Sequence, residues 1–193
     1  MVVMKIRLAT PQDSDRLLAI YSQYIGTSVT FEYELPTQKE FAERIAGVVQ
    51  MYPYLVLEEG SRAVGYAYAH RQMERAAYQW NAELSIYLDH ASIARGCGSR
   101  LYRTLMELLR LQGIKNVYGV VTMPNDRSER LHQRMGFQRT GTYHNTGFKC
   151  GQWRDVALYE KQIAPYDAQP KPIQPFPSLP GELVQAVLRA AQE

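Results

Sequence analysis

Cysteine is scarce in this chain: only Cys97 and Cys150 occur in 193 residues. Neither lies near other Cys or His at metal-ligand spacing, so a disulfide scaffold and a zinc-stapled fold are excluded, and no metal is expected. No apolar run approaches the roughly 20 residues needed to cross a bilayer. The N-terminal stretch Met1-Val2-Val3-Met4-Lys5 lacks the sustained apolar core of a secretory signal. A cytoplasmic location with reduced thiols is therefore expected, without a membrane partner. Excess charge is also small. The formal net charge is +3, too little to argue for nucleic acid, although a mildly basic balance suits an anionic ligand.

What is present is ample core material, 46% of residues being hydrophobic, in a length typical of one domain. The periodicity alternates between strand and helix. Residues 5–9 read as a strand. Thr10 and Pro11 open a helix carrying Leu17, Leu18, Ile20, Tyr21 and Tyr24. Thr37 and Glu40 form a capping box for a second helix with Phe41, Ile45, Val48 and Val49 on one face. Strands are expected over 54–58, 63–70, 79–88 and 116–122, and a closing hairpin over 137–145 and 153–162. This is an α/β (α+β) pattern with a mixed sheet flanked by helices.

The most informative segment is Arg95-Gly96-Cys97-Gly98-Ser99-Arg100. Two glycines one residue apart allow a tight turn and close approach of a ligand. Leu101, Leu105, Leu108 and Leu109 then mark one buried face of a helix. Its N-terminus presents unpaired N–H groups and the positive end of the helix dipole, a construction that holds phosphate. Phosphate-loop and dinucleotide fingerprints do not fit, since no Lys-Ser or Lys-Thr follows and Leu101 stands where a third glycine belongs. Cys97 reads as a small buried hydrophobe. In the strand before this turn Ala82, Leu84, Ile86 and Leu88 alternate with Glu83, Ser85 and Tyr87. Glu83 is either on a solvated face or a general base lining a cleft. Asn125 to Gly136 reads as a short helix with a capping start and a glycine stop.

In this order the residues resemble the GNAT superfamily of acetyl-CoA-dependent N-acetyltransferases, and in particular its phosphinothricin or methionine-sulfone acetyltransferase branch. The resemblance rests on Thr30-Phe31-Glu32, Tyr52-Pro53-Tyr54-Leu55-Val56, Gly65-Tyr66-Ala67-Tyr68 and Ala77-Tyr78-Gln79-Trp80. It continues in Asn125-x-x-Ser128-x-x-Leu131-His132 with Gly136-Phe137, and in Gly147-Phe148-Lys149-Cys150-Gly151-Gln152-Trp153-Arg154-Asp155-Val156. It covers roughly residues 4 to 161. Two positions depart from the pattern: Ile93 stands where the phosphate turn opens with Gln or Arg, and Ala94 replaces a glycine. Both act mainly through backbone amides, so coenzyme binding is expected to survive.

The resemblance implies acetyl-CoA as co-substrate and the following roles. Glu83 takes the proton of the acceptor amine, directly or through water. The backbone of Ile86, Tyr87 and Leu88 pairs with the pantetheine arm and polarises the thioester carbonyl. Amides from Arg95 to Arg100 hold the pyrophosphate, with Asn125 and Ser128 beside the coenzyme, although Asn125 is equally a helix cap. His132 is placed to protonate the departing sulfur, its residue type titrating near neutrality; the bland reading is a structural or exposed histidine. Thr30, Phe31 and Glu32 lie in the loop lining the acceptor site. Arg75, or Arg71, would grip a carboxylate bidentately. Tyr78 and Trp80 would wall the pocket, and Lys149 would meet an anionic side-chain group. The implied partners are a small amino-acid-like substrate and a second copy in a homodimer.

The tail differs from the rest. Six of the ten prolines fall between 165 and 180, with little apolar periodicity, as in an extended linker. Leu183, Val184, Val187, Leu188 and Ala191 then recur at helical spacing. The expected organisation is an acetyltransferase domain over 1–162, a proline-rich linker over 163–180 and an amphipathic helix over 181–193. That helix needs a surface to cover, in its own subunit or across a dimer. Competing functions are acetylation of polyamines or protein N-termini, and a coenzyme-binding module without catalysis. The carboxylates of Glu32 and Glu34 keep a polyamine acceptor in play.

Overall fold

A computed structural model describes residues 4–93 and 95–192. Along the chain lie β1 (Met4–Leu8), α1 (Ser14–Ile25), α2 (Gln38–Val49), β2 (Tyr54–Glu59), β3 (Arg62–Arg71) and β4 (Asn81–Leu88). Then follow α3 (Cys97–Gln112), β5 (Asn116–Thr122), α4 (Asp126–Arg134), β6 (Gln138–Lys149), β7 (Gln152–Gln162) and α5 (Gly181–Ala190). The strands form one sheet in the order β1-β2-β3-β4-β5-β7-β6. Every neighbouring pair is antiparallel except β4 with β5.

Local chemistry sets the element starts. Thr37 Oγ1 accepts from the Glu40 N–H at 3.2 Å while the Glu40 carboxylate accepts from the Thr37 N–H at 2.7 Å, closing the expected capping box. At the first helix, Asp13 accepts from the Thr10 N–H at 2.8 Å and is paired with Arg7 at 2.6 Å. A short turn over Pro11–Asp13 therefore precedes α1, which begins at Ser14.

The sheet is covered on both faces. In β2, Leu55 and Leu57 join the core under α3, whereas Tyr54 and Val56 join the core under α1 and α2. A central strand buried on both faces reads as a continuous apolar run, as Tyr54 to Leu57 does. Leu101, Leu105, Leu108 and Leu109 of α3 are all fully buried. The closing hairpin is longer than its sequence pattern suggests. Cys150 and Gly151, both at positive φ (53° and 73°), form a two-residue turn that pairs Lys149 with Gln152, a backbone shape that follows strand twist.

The segment expected as a linker is instead a strap against the domain. Ile173, Phe176 and Leu179 are buried in the main core. Trp80 Nε1 donates to the Lys171 carbonyl at 2.8 Å, and Gln112 Nε2 donates to the Gln174 carbonyl at 2.9 Å. Prolines hold such a strap extended at small entropic cost, and its apolar residues fill separate slots, which is why no periodicity marks them. α5 then packs on α3 in the same chain with Val184 and Leu188 buried. Leu183, expected in that contact, is 45% exposed. Gln192 accepts from the Ile6 N–H at 3.2 Å and donates to its carbonyl at 2.9 Å, tying the end of the chain to β1.

Candidate active site

The site starts where β4 and β5 part. The two strands pair only over Asn81–Glu83 and Asn116–Tyr118, while β4 stays bonded to β3 as far as Leu88. Beyond Glu83 the β5-facing edge of β4 has no strand partner among the described residues. Such an edge can take an extended ligand as an added strand. Strand alternation sends Ile86 and Leu88 into one cavity and Tyr87 into another.

The first cavity, about 530 Å³, is lined by Ile86 and Leu88, by Ile93 and Gly96 to Ser99, and by Asn125, Arg127, Ser128, Arg130, Leu131 and Arg134 along α4. Gly96 takes the left-handed conformation (φ 79°) as N-cap of α3. The first-turn N–H groups of Cys97, Gly98 and Ser99 have no intrahelical acceptors, so the positive end of α3 faces the cavity. A Cβ on Gly98 would lie 3.3 Å from Leu131 and 3.6 Å from Ile86; the bare glycine lets α4 close on this turn. The Ser99 hydroxyl is buried without a hydrogen-bond partner. Asn125 caps α4 by accepting from the Ser128 N–H at 3.2 Å. Cys97 is buried, which pushes its thiol up, as for a small hydrophobe. The glycine-to-Ala94 replacement lies outside the described residues. Neither turn arginine lines the cavity: Arg95 pairs with Glu59 at 2.5 Å, and Arg100 Nε donates to the Ala191 carbonyl at 2.7 Å.

The second cavity, about 730 Å³, is lined by Thr30, Phe31 and Glu32 from the α1–α2 loop and by Arg44 of α2. Tyr21, Tyr54, Tyr66, Tyr68, His70 and Tyr87 complete much of its wall. The Tyr21 hydroxyl is 2.7 Å from Thr30 Oγ1 and donates to Glu32 at 3.0 Å. Burial pushes it up to about 12, so it stays a neutral donor. Arg44 pairs with Glu32 at 2.7 Å. Phe31 packs over Gly147, where any Cβ would collide with its ring.

Glu83 stands at the apex, opposite His70 in the β3–β4 register. Its Oε1 lies 3.6 Å from His70 Nε2. Burial raises the Glu83 carboxyl above the ordinary glutamate range, and the charge of His70 opposes this.

Six expected residues lie elsewhere. His132 is 2% exposed and lines neither cavity. With Nδ1–H donated to the Ser128 carbonyl at 2.8 Å, its Nε2 lone pair faces the Tyr102 hydroxyl at 3.5 Å. Phe137 and Tyr159 rings lie 4.9 and 5.0 Å away. Burial lowers its basicity, so it is neutral, and a Cβ on Gly119 of β5 would collide with its ring. This is a residue seating α4 on the sheet rather than one reaching a sulfur in the cleft. Lys149 is 4% exposed, and its ammonium donates to the Glu32 carbonyl, so it supports the acceptor loop instead of meeting a ligand. Arg75 and Tyr78 sit exposed on the short turn before β4, outside both cavities. Arg71 is turned to the Glu74 carbonyl at 3.0 Å, and Trp80 is spent on the C-terminal strap.

The sequence reading missed Arg44, His70, the tyrosine wall and the α4 arginines. Arg127, Arg130 and Arg134 carried a usable signal, their i, i+3, i+7 spacing. The tyrosines did not, because only strand pairing stacks Tyr54 on Tyr68, with ring centroids 4.7 Å apart.

Parallel strands that part, a helix N-terminus aimed into the parting and a half-buried carboxylate at its apex define an acyl-CoA-dependent N-acyltransferase. The chain belongs to the GNAT acetyltransferase family: the model of the acetyltransferase (GNAT) domain matches residues 6–158. It is 36% identical over 173 residues to the phosphinothricin N-acetyltransferase of Streptomyces viridochromogenes, covering 89% of this chain and 94% of that one. It is 29% identical to the L-methionine sulfoximine/L-methionine sulfone acetyltransferase of Pseudomonas aeruginosa, covering 86% and 98% of the two chains. Among solved structures it superposes on a GNAT superfamily phosphinothricin acetyltransferase from Sinorhizobium meliloti in complex with acetyl-CoA. The TM-score is 0.83 and the identity 30%, over 92% of this chain and 98% of that chain.

Proposed function

We propose that this enzyme transfers the acetyl group of acetyl-CoA to the α-amine of a small amino-acid analogue of the phosphinothricin, methionine sulfone or methionine sulfoximine type. The observation that carries the reading is Glu83, half-buried at the fork of β4 and β5 and 3.6 Å from a histidine that lines the larger cavity. The smaller cavity fits the coenzyme: it offers amides at the start of α3, an unpartnered Ser99 hydroxyl and three arginines, with no carboxylate in its lining.

Each residue then has a task. Glu83, its carboxyl raised by burial, accepts a proton from the acceptor ammonium and so frees the nitrogen lone pair. A backbone N–H on the open edge of β4, from Ile86 to Leu88, donates to the thioester oxygen as charge builds there. Gly96 to Ser99 hold the pyrophosphate through backbone amides. Arg44, oriented by its pairing with Glu32, takes over the carboxylate-gripping role that the sequence suggested for Arg75. Thr30 and Phe31 shape the acceptor side, and His132 positions α4, with Asn125 and Ser128 on the coenzyme. The lone carboxylate in the acceptor lining, Glu32, is already paired with Arg44, which favours an amino acid over a polyamine.

The same reading carries a homodimer in the cytoplasm. Tyr143 and Trp153 on the β6–β7 hairpin are 54% and 63% exposed, a surface suited to a second copy. The test is a panel of phosphinothricin, methionine sulfone, methionine sulfoximine, spermidine and short peptides, with thiol release followed from acetyl-CoA. Turnover confined to spermidine or peptides refutes the acceptor class. No turnover of any amine, with acetyl-CoA bound, makes the chain a binding module.

A further inference from the structure

The coenzyme cleft has a cationic wall that the phosphate turn does not supply. Arg127, Arg130 and Arg134 line it from α4, and their i, i+3, i+7 spacing puts them on one helix face. Arg130 reaches Asp126 at 3.9 Å, a mostly exposed pair of little strength. Arg127 and Arg134 have no ion-pair partner among the described residues. The two arginines of the turn itself are committed elsewhere, Arg95 to Glu59 and Arg100 to the Ala191 carbonyl. The first turn of α3 and the buried, unpartnered Ser99 hydroxyl face the same cleft.

Coenzyme A carries two separate anionic groups, the pyrophosphate and the 3′-phosphate of its ribose. One helix N-terminus with its amides matches one of them. The second needs side-chain cations, and a planar guanidinium grips phosphate with two parallel hydrogen bonds. Apart from His90, the α4 arginines are the cationic side chains lining this cleft among the described residues. We propose that Arg127, Arg130 and Arg134 form the 3′-phosphate subsite, so that α4, rather than the arginines of the phosphate turn, discriminates coenzyme A from its 3′-dephospho form. This rests on the coenzyme reading of the cleft given above.

The test compares dissociation constants of coenzyme A and 3′-dephospho-coenzyme A, by calorimetry on the full chain, for three proteins. These are the native enzyme, the triple variant Arg127→Gln/Arg130→Gln/Arg134→Gln and the double variant Arg95→Gln/Arg100→Gln. The native enzyme should prefer coenzyme A by about tenfold or more, and the triple variant should lose that preference while binding the dephospho form almost unchanged. Its affinity for coenzyme A should also depend less on salt. The double variant should keep the preference. The single variant Arg134→Gln, an exposed change, should lose part of it even if the triple variant is unstable. A native enzyme without preference, or a folded triple variant that keeps the full preference, overturns the proposal. Failure of the native protein to bind either form would instead overturn the coenzyme reading itself.

Discussion

Replacing Glu83 by Gln keeps the shape of the side chain and removes its basicity. A positioned general base is worth about 10²–10⁴ in rate, or about 2.7–5.4 kcal/mol of barrier at ~1.36 kcal/mol per decade. The structure argues for at least the lower bound, since Glu83 is the carboxylate at the fork and lies next to a cavity-lining histidine. Turnover should therefore fall by about two orders of magnitude or more. Coenzyme affinity should hardly move, since Glu83 is not among the residues lining the coenzyme cleft. The pH profile is a second readout. Burial raises the Glu83 carboxyl, so the native rate should climb with pH through an inflection above the ordinary glutamate range, and the variant should lack that limb.

Stability is a third readout, with a fixed sign. Because the folded-state pKa is raised, the folded protein holds this proton more tightly than the unfolded chain does. The associated stabilisation is complete below the unfolded pKa and is lost as pH rises through the folded one. At neutral pH the ionised, partly desolvated carboxylate is a cost, so Glu83→Gln should melt no lower than the native enzyme, and the difference should change sign or vanish in acid. Steady-state kinetics by thiol release and thermal melts across pH measure both. Near-native turnover across the neutral and alkaline range would refute the base assignment. A variant that melts well below the native enzyme at neutral pH would show a structural role instead.

Arg44→Ala should raise the Michaelis constant of the amino-acid acceptor about tenfold or more, as expected for loss of a charge-assisted carboxylate contact, and leave that of acetyl-CoA unchanged. Arg75→Ala should change neither, and the reverse outcome would restore Arg75 to the site. Gly96→Val should cost about 1–2 kcal/mol or more, because the left-handed backbone at φ 79° disfavours a β-branched residue even though space for its Cβ is open. It should also abolish the rise in melting temperature that acetyl-CoA gives the native protein, and an unchanged rise would remove the turn from the coenzyme site. Leu188→Ala, at a position 6% exposed on α5, should destabilise by about 2–5 kcal/mol, and a loss of under about 0.5 kcal/mol by denaturant titration would show that the tail does not belong to the core.

The sequence by itself determined the elements and much of their chemistry. Capping residues, glycine stops and apolar periods fix a helix or a strand within a few neighbouring residues, and that information is local. Thus the Thr37–Glu40 box, the buried leucine face of α3, the Gly96 turn and the alternation that aims Glu83 away from Leu84 were all legible before any coordinates. The order of motifs was enough to suggest the family that the comparison then established. Only the tertiary structure decided which side chains share a cavity. His132 and Lys149 carry the right chemistry in the right motif, yet α4 seated over Gly119 buries the one, and the acceptor-loop carbonyl of Glu32 occupies the other. Arg44 and His70 come from separate elements and meet the acceptor loop only because β3 and α2 pack around it. The strap over 163–180 followed the same logic: its prolines promised an extended chain, but whether Ile173, Phe176 and Leu179 face water or core depends on slots formed by distant residues. Contacts of that kind depend on how the elements pack, and no spacing within one segment encodes them.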